Sequence, residues 1–98
     1  MVTTDYALAE TVTLLTARGY RRVVEPFFES VFTSAVCTIQ WMDPDRFQRV
    51  REFLRRHQDK DWSFTDCFSF HVMRELKLHR ALTSDHHFQQ AGFAALLV

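Results

Sequence analysis

Apolar residues recur at helical spacing from Tyr6 onward, and Gly19 closes the run. This predicts a first helix over residues 6–18, with Thr3, Thr4 or Asp5 as N-cap and Gly19 ending it in the left-handed conformation. Tyr6, Glu10, Leu14 and Ala17 share one face of that helix by their spacing. A second helix is expected over residues 21–32, where Pro26 either opens a helical turn at its first position or kinks the helix. Residues 35–41 (Ala-Val-Cys-Thr-Ile-Gln-Trp) have strand-like composition and partial alternation. Asp43-Pro44 then marks a helix start, an acid at the N-cap followed by proline at the first position. The helix it opens places Phe47, Val50 and Leu54 inward and Arg49, Arg55 and Arg56 outward.

Ser63 or Thr65 is expected to cap a further helix reaching about Lys77. Phe64, Cys67, Phe68, Phe70, Val72, Met73 and Leu76 cover most of its circumference, the pattern of a buried helix. Asp66 lies in its first turn, on the side of Phe70 and Met73. Residues 78–83 read as a connector into a short strand. Ser84-Asp85 caps a single turn through His86, His87 and Phe88, Gly92 breaks it, and residues 93–98 form a last apolar strand. Helices alternating with short apolar strands imply an α/β fold with a parallel sheet.

Ninety-eight residues are expected to form one domain. Ten Phe supply enough apolar bulk for a core, which argues against disorder. A net charge of zero argues against nucleic-acid binding through a strong overall basic field. It leaves room for a local patch, and Arg49, Arg51, Arg55 and Arg56 form either a solvated helix face or a row contacting phosphates. Cys37 and Cys67 lack Cys-x-x-Cys spacing and are expected to be reduced, structural and cytosolic. No signal peptide or long apolar run stands out, so a cytoplasmic protein without a membrane span is expected.

Three acids carry the candidate chemistry. Asp66 opens a mostly apolar helix, Asp85 follows a short apolar strand nineteen residues later, and Glu10 sits on a helix among apolar neighbours. Carboxylates at the ends of buried elements are costly unless paired or bound to a cation, so three of them suggest a metal site. Each also has a simpler reading: Glu10 as a surface or Arg-paired acid, Asp66 as a favourable charge at a helix N-terminus, and Asp85 as an N-cap. Asp61 is either a rim acid or a solvated loop acid, and Asp5 a helix cap facing away from Glu10. His86 and His87 point in different directions and lack further metal spacing. There is no P-loop, dinucleotide fingerprint or Ser/His/Asp signature.

Three ordered blocks, Thr3-Thr4-Asp5-Tyr6-x-Leu8-Ala9-Glu10-Thr11, Asp59-Lys60-Asp61-Trp62-Ser63-Phe64-Thr65-Asp66-Cys67 and Ala81-Leu82-Thr83-Ser84-Asp85-His86-His87-Phe88-x-Gln90-Ala91-Gly92-Phe93, resemble PIN-domain proteins of the VapC-like toxin ribonuclease type. The resemblance implies an α/β/α sandwich on a short parallel sheet and hydrolysis of RNA with Mg²⁺ or Mn²⁺ held by carboxylates. Glu10, Asp66 and Asp85 match the metal-binding acids, and Thr65 the small hydroxyl residue beside them. An antitoxin protein and self-association are the implied partners. The family's first strand, ending in Asp-x-Ser/Thr, has no counterpart before the Thr-Thr-Asp-Tyr block. That strand is central in the family's sheet, so a divided sheet, an N-terminally truncated domain and weak or absent activity are expected. The alternative is a non-catalytic remnant acting as an interaction module. Lys77 stands where relatives often carry a helix-ending Gly, at a cost of a few tenths to about 1 kcal/mol if that backbone is left-handed.

Overall fold

The computed structural model describes residues 1–78, 80–81 and 94–95. Its chain divides into two units, Met1–Met42 and Asp43–Val98.

The first unit runs β1 (Val2–Thr4), α1 (Asp5–Ala17), a 3-10 turn (Arg21–Val23), α2 (Val24–Thr33) and β2 (Thr38–Gln40). β1 and β2 are parallel, with Val2, Thr3 and Thr4 opposite Thr38, Ile39 and Gln40. Two helices make the crossover that a parallel pair requires. Of the three candidate caps, Thr4 is the N-cap of α1, its hydroxyl accepting from the Ala7 amide at 3.0 Å. Asp5 is therefore not the cap. It is the first helical residue, and its carboxylate accepts from the Tyr6 amide and, 37 residues away, from the Met42 amide at 3.1 and 3.2 Å.

Gly19 ends α1 at φ 83°. The Gly19 and Tyr20 amides return to the Thr16 and Leu15 carbonyls, which makes a Schellman ending. Strand β2 is shorter than expected because β1 offers three residues before helix α1 begins. Pro26 neither opens nor kinks α2. It lies in the first turn, where its missing N–H has no intrahelical partner to lose. Leu8 and Thr4 are the buried residues of this unit, and α2 has none.

The second unit contains α3 (Pro44–Arg56), α4 (Phe64–Glu75), β3 (Arg80–Ala81) and β4 (Ala94–Ala95). Asp43 caps α3 as expected, accepting from the Arg46 amide at 2.8 Å ahead of Pro44. Val50 is fully buried, as the pattern required. Phe47 is not: it is 41% exposed, its ring resting on Phe64 with centroids 4.8 Å apart. In α4, Cys67, Phe68, Phe70, Val72 and Met73 are buried, which bears out the buried-helix reading, while Leu76 at the helix end is exposed.

Lys77 takes φ 57°. Its amide returns to the Arg74 carbonyl and that of Leu78 to Met73, a second Schellman ending with lysine where α1 has glycine. Trp62, edge-on to Phe70 at 5.0 Å, anchors the loop before α4. β3 and β4 are parallel. The described strands form two two-stranded sheets, one in each unit.

Candidate functional site

Asp66 is placed by a reciprocal cap. Ser63 has extended backbone, and its hydroxyl accepts from the Asp66 amide at 3.0 Å. The Asp66 carboxylate accepts in return from the Ser63 amide at 3.0 Å. Two amides that the helix leaves unbonded are thereby satisfied, and the helix dipole favours the negative charge. Ser63, not Thr65, is the cap. Thr65 follows in the first turn, half-buried. The simpler reading of Asp66 is thus realised in its local structure. One carboxylate oxygen makes the capping bond, and a carboxylate has about four acceptor sites in all, so capping and metal ligation are chemically compatible.

Behind Asp66 the Cys67 thiol is fully buried. Burial, and then the neighbouring Asp66 charge, pushes it up to about 11. It is inert as a nucleophile at neutral pH. Cys37 and Cys67 are both free thiols. Asp61 is exposed in the loop before the cap.

Glu10 stands on an exposed part of α1. The buried residue Leu8 and the half-buried Val12 and Leu15 form the inner stripe instead. The cost of burying a carboxylate therefore does not apply to Glu10. Asp85, with His86 and His87, lies outside the described residues. Among the described residues no three His, Cys, Asp or Glu side chains gather as a metal site, and Glu10 and Asp66 belong to different units.

Helix α3 carries a charge network that its sequence only hinted at. Arg49 pairs with Asp45 at 3.0 Å, and Arg51 donates to Gln48 at 3.2 Å. Arg55 grips both oxygens of Glu52, and Arg56 approaches the same carboxylate at 3.4 Å. Their hydrogen bond and charges hold the Glu52 carboxyl down at about 2, against some loss of hydration. On the inner side Arg46 pairs with Glu75 of α4, and His71 Nε2 lies 3.3 Å from the same carboxylate without hydrogen-bond alignment. Sequence reasoning found neither this bridge nor the Asp5–Met42 bond, because both partners are distant along the chain. The helical spacing of Glu52, Arg55 and Arg56 was the available signal for the outer cluster.

No family model matches the chain. It is 34% identical over 94 residues to the 23S rRNA-specific endonuclease VapC20 of Mycobacterium tuberculosis, in both strains compared; the alignment covers 95% of this chain and 70% of that protein. The crystal structure of Mycobacterium tuberculosis VapC20, a sarcin-ricin loop cleaving toxin, matches at TM-score 0.87 and 32% identity, over 97% of this chain and 72% of the other. The fold is therefore the α/β PIN type, with parallel strand pairs and, in the first unit, a helical crossover. The chain belongs to the VapC-type family of PIN-domain toxin ribonucleases. No helix among the described residues is long and apolar enough to cross a membrane.

Proposed function

We propose that this chain is a divalent-metal-dependent endoribonuclease, its 98 residues acting as one PIN-like domain. The observation that carries the reading is alignment across 95% of its length with an enzyme named for cleaving 23S rRNA. Glu10, Asp66 and Asp85 are the proposed metal-binding and catalytic carboxylates, and Thr65 the hydroxyl beside them. Their hard oxygen donors suit Mg²⁺ or Mn²⁺. When bound, such an ion neutralises charge at the scissile phosphate and acidifies a water.

The chain's own contribution is positional. The Ser63 amide holds the Asp66 carboxylate in one orientation at the α4 N-terminus. Cys67, buried and thiol-bearing, leaves the hydrolysis to carboxylates and water. RNA is the proposed substrate and the cytoplasm the proposed compartment.

A second reading, an interaction module that pairs with an antitoxin protein or a second copy, is favoured by α2. This helix presents Phe27, Phe28, Val31 and Phe32 yet buries none of them, and Phe32 is 55% exposed. Exposed apolar patches of this kind mark association surfaces.

Cleavage of a ribosomal stem-loop RNA in Mn²⁺ separates the two. Asp66→Asn keeps an oxygen for the Ser63 amide but loses the charge, so it should fold and fail to cleave. Cleavage by Asp66→Asn at the unsubstituted rate would refute the site. Absence of both cleavage and RNA binding in the unsubstituted protein would favour the interaction module.

A further inference from the structure

We propose that the C-terminal half of α3 is an RNA-backbone contact surface, in which Glu52 is a positioning residue presenting Arg55 and Arg56 to phosphate. This rests on the RNA-cleaving reading and assigns its substrate a second foothold, on α3. His71 of α4 borders the groove beside this face. By helical geometry it lies about 140° around α4 from Asp66 and about 7.5 Å along it.

Charge is the first argument. The chain is neutral overall. Residues 51–56 nevertheless carry Arg51, Arg55 and Arg56 against Glu52 alone, a local surplus of three minus one. All three guanidinium groups are on the exposed side of the helix, opposite buried Val50. Of the three, Arg56 lines an open groove of about 430 Å³, together with Asp45, Arg49 and Glu52 of α3 and His71 of α4.

The second argument is the identity and ordering of the cations. Every basic residue of α3 is arginine, the side chain whose planar fork matches phosphate oxygens. Glu52 engages Nε and one Nη of Arg55, which keeps the other Nη outside that pair. It also holds Arg56 by Nε, leaving both Nη groups to donate elsewhere. One carboxylate therefore fixes two guanidinium groups and removes part of the entropy cost of ordering them on a ligand.

The aromatic neighbour offers no base platform. The Phe53 ring already has the Arg74 guanidinium at 5.0 Å and the His57 ring at 4.4 Å. The surface thus reads backbone charge, not base identity.

The test is fluorescence anisotropy of a labelled stem-loop RNA in EDTA across a salt series, with thermal unfolding as the folding control. Arg51→Gln/Arg55→Gln/Arg56→Gln should lower the log–log salt slope by about 0.7–0.9 for each phosphate no longer neutralised. Arg21→Gln/Arg22→Gln, in the other unit, should leave the slope near that of the unsubstituted protein. Glu52→Gln gives the decisive sign. Removing a negative charge tightens RNA binding if only the net field matters, whereas loss of positioning weakens it.

An unchanged slope in the triple variant, or an equal loss in the Arg21/Arg22 control, overturns the contact surface while leaving the nuclease reading intact. Tighter binding by Glu52→Gln overturns the positioning role. An unsubstituted protein that fails to bind the RNA at low salt overturns both the surface and the nuclease reading. Retention of polyglutamate by the unsubstituted protein but not by the triple variant, without RNA binding, assigns the face to an acidic protein partner instead.

Discussion

Substituting Lys77 by glycine should stabilise the protein relative to substitution by alanine. Lys77 is the left-handed residue of a Schellman ending, at φ 57°. An L-residue pays about 1–2 kcal/mol for that conformation. Glycine escapes this cost but loses about 0.5–1 kcal/mol more backbone entropy on folding. At the midpoints of those ranges the net backbone gain is about 0.75 kcal/mol. Lysine's charge at a helix C-terminus complicates direct comparison, since it contributes about 0.3–1 kcal/mol there.

Lys77→Ala controls for this, because it loses the charge and keeps the strain. Urea and thermal unfolding of the two variants should therefore differ, with glycine higher in Tm by roughly 3–6 °C at about 4–8 °C per kcal/mol for a chain of this size. Gly19 supplies the mirror experiment. It occupies the same motif at φ 83°, and an added Cβ would meet nothing within 4 Å. Gly19→Ala should lower stability through backbone strain alone. A Lys77→Gly variant no more stable than Lys77→Ala would refute the argument.

Four further outcomes follow from the same geometry. Ser63→Ala removes half of the reciprocal cap and should cost about 1 kcal/mol in urea unfolding, within the usual range of roughly 0.5–2 kcal/mol. Asp5→Ala deprives the Met42 amide of its acceptor and should destabilise by about 0.5–1.5 kcal/mol, with an Asp5→Asn variant between it and the unsubstituted protein. Thiol-reagent kinetics at neutral pH should label Cys37 in the folded protein, while Cys67, buried and pushed up to about 11, reacts only on unfolding. Glu10→Ala should lower Mn²⁺-dependent RNA cleavage under the proposed nuclease reading, because it removes a hard oxygen donor; cleavage at the unsubstituted rate would remove Glu10 from the proposed site.

Helix starts and stops were legible in the sequence because their chemistry is local. Asp43-Pro44 and Gly19 each act within one turn and do in the structure what their residue types predict, and of the two offered caps, Ser63 and Thr65, Ser63 takes the role. Burial was legible in α4, where apolar residues cover most of the circumference, but not at Phe47, whose exposure depends on which partner it meets. Glu10 shows the same limit. Its neighbours in sequence are apolar, yet helical geometry turns the Leu8 stripe inward and leaves Glu10 exposed. Asp5 was read as a cap because capping is a local act, and its actual partner at Met42 is set by the parallel crossover.

The unequal cores of the two units bear on amide hydrogen exchange. Unit Met1–Met42 buries only Thr4 and Leu8 among its described residues, and its sheet pairs three residues with three. Two-stranded pairs are marginal by themselves. The described part of the other unit buries Val50, Trp62, Cys67, Phe68, Phe70, Val72 and Met73. Amides of β1, β2 and α2 should therefore exchange through partial opening, with little dependence on denaturant. Those of α4 around Phe68–Val72 should exchange only with global unfolding. Among the described residues, a protease offered the folded protein should accordingly cut before Met42 sooner than within the helix bearing Asp66.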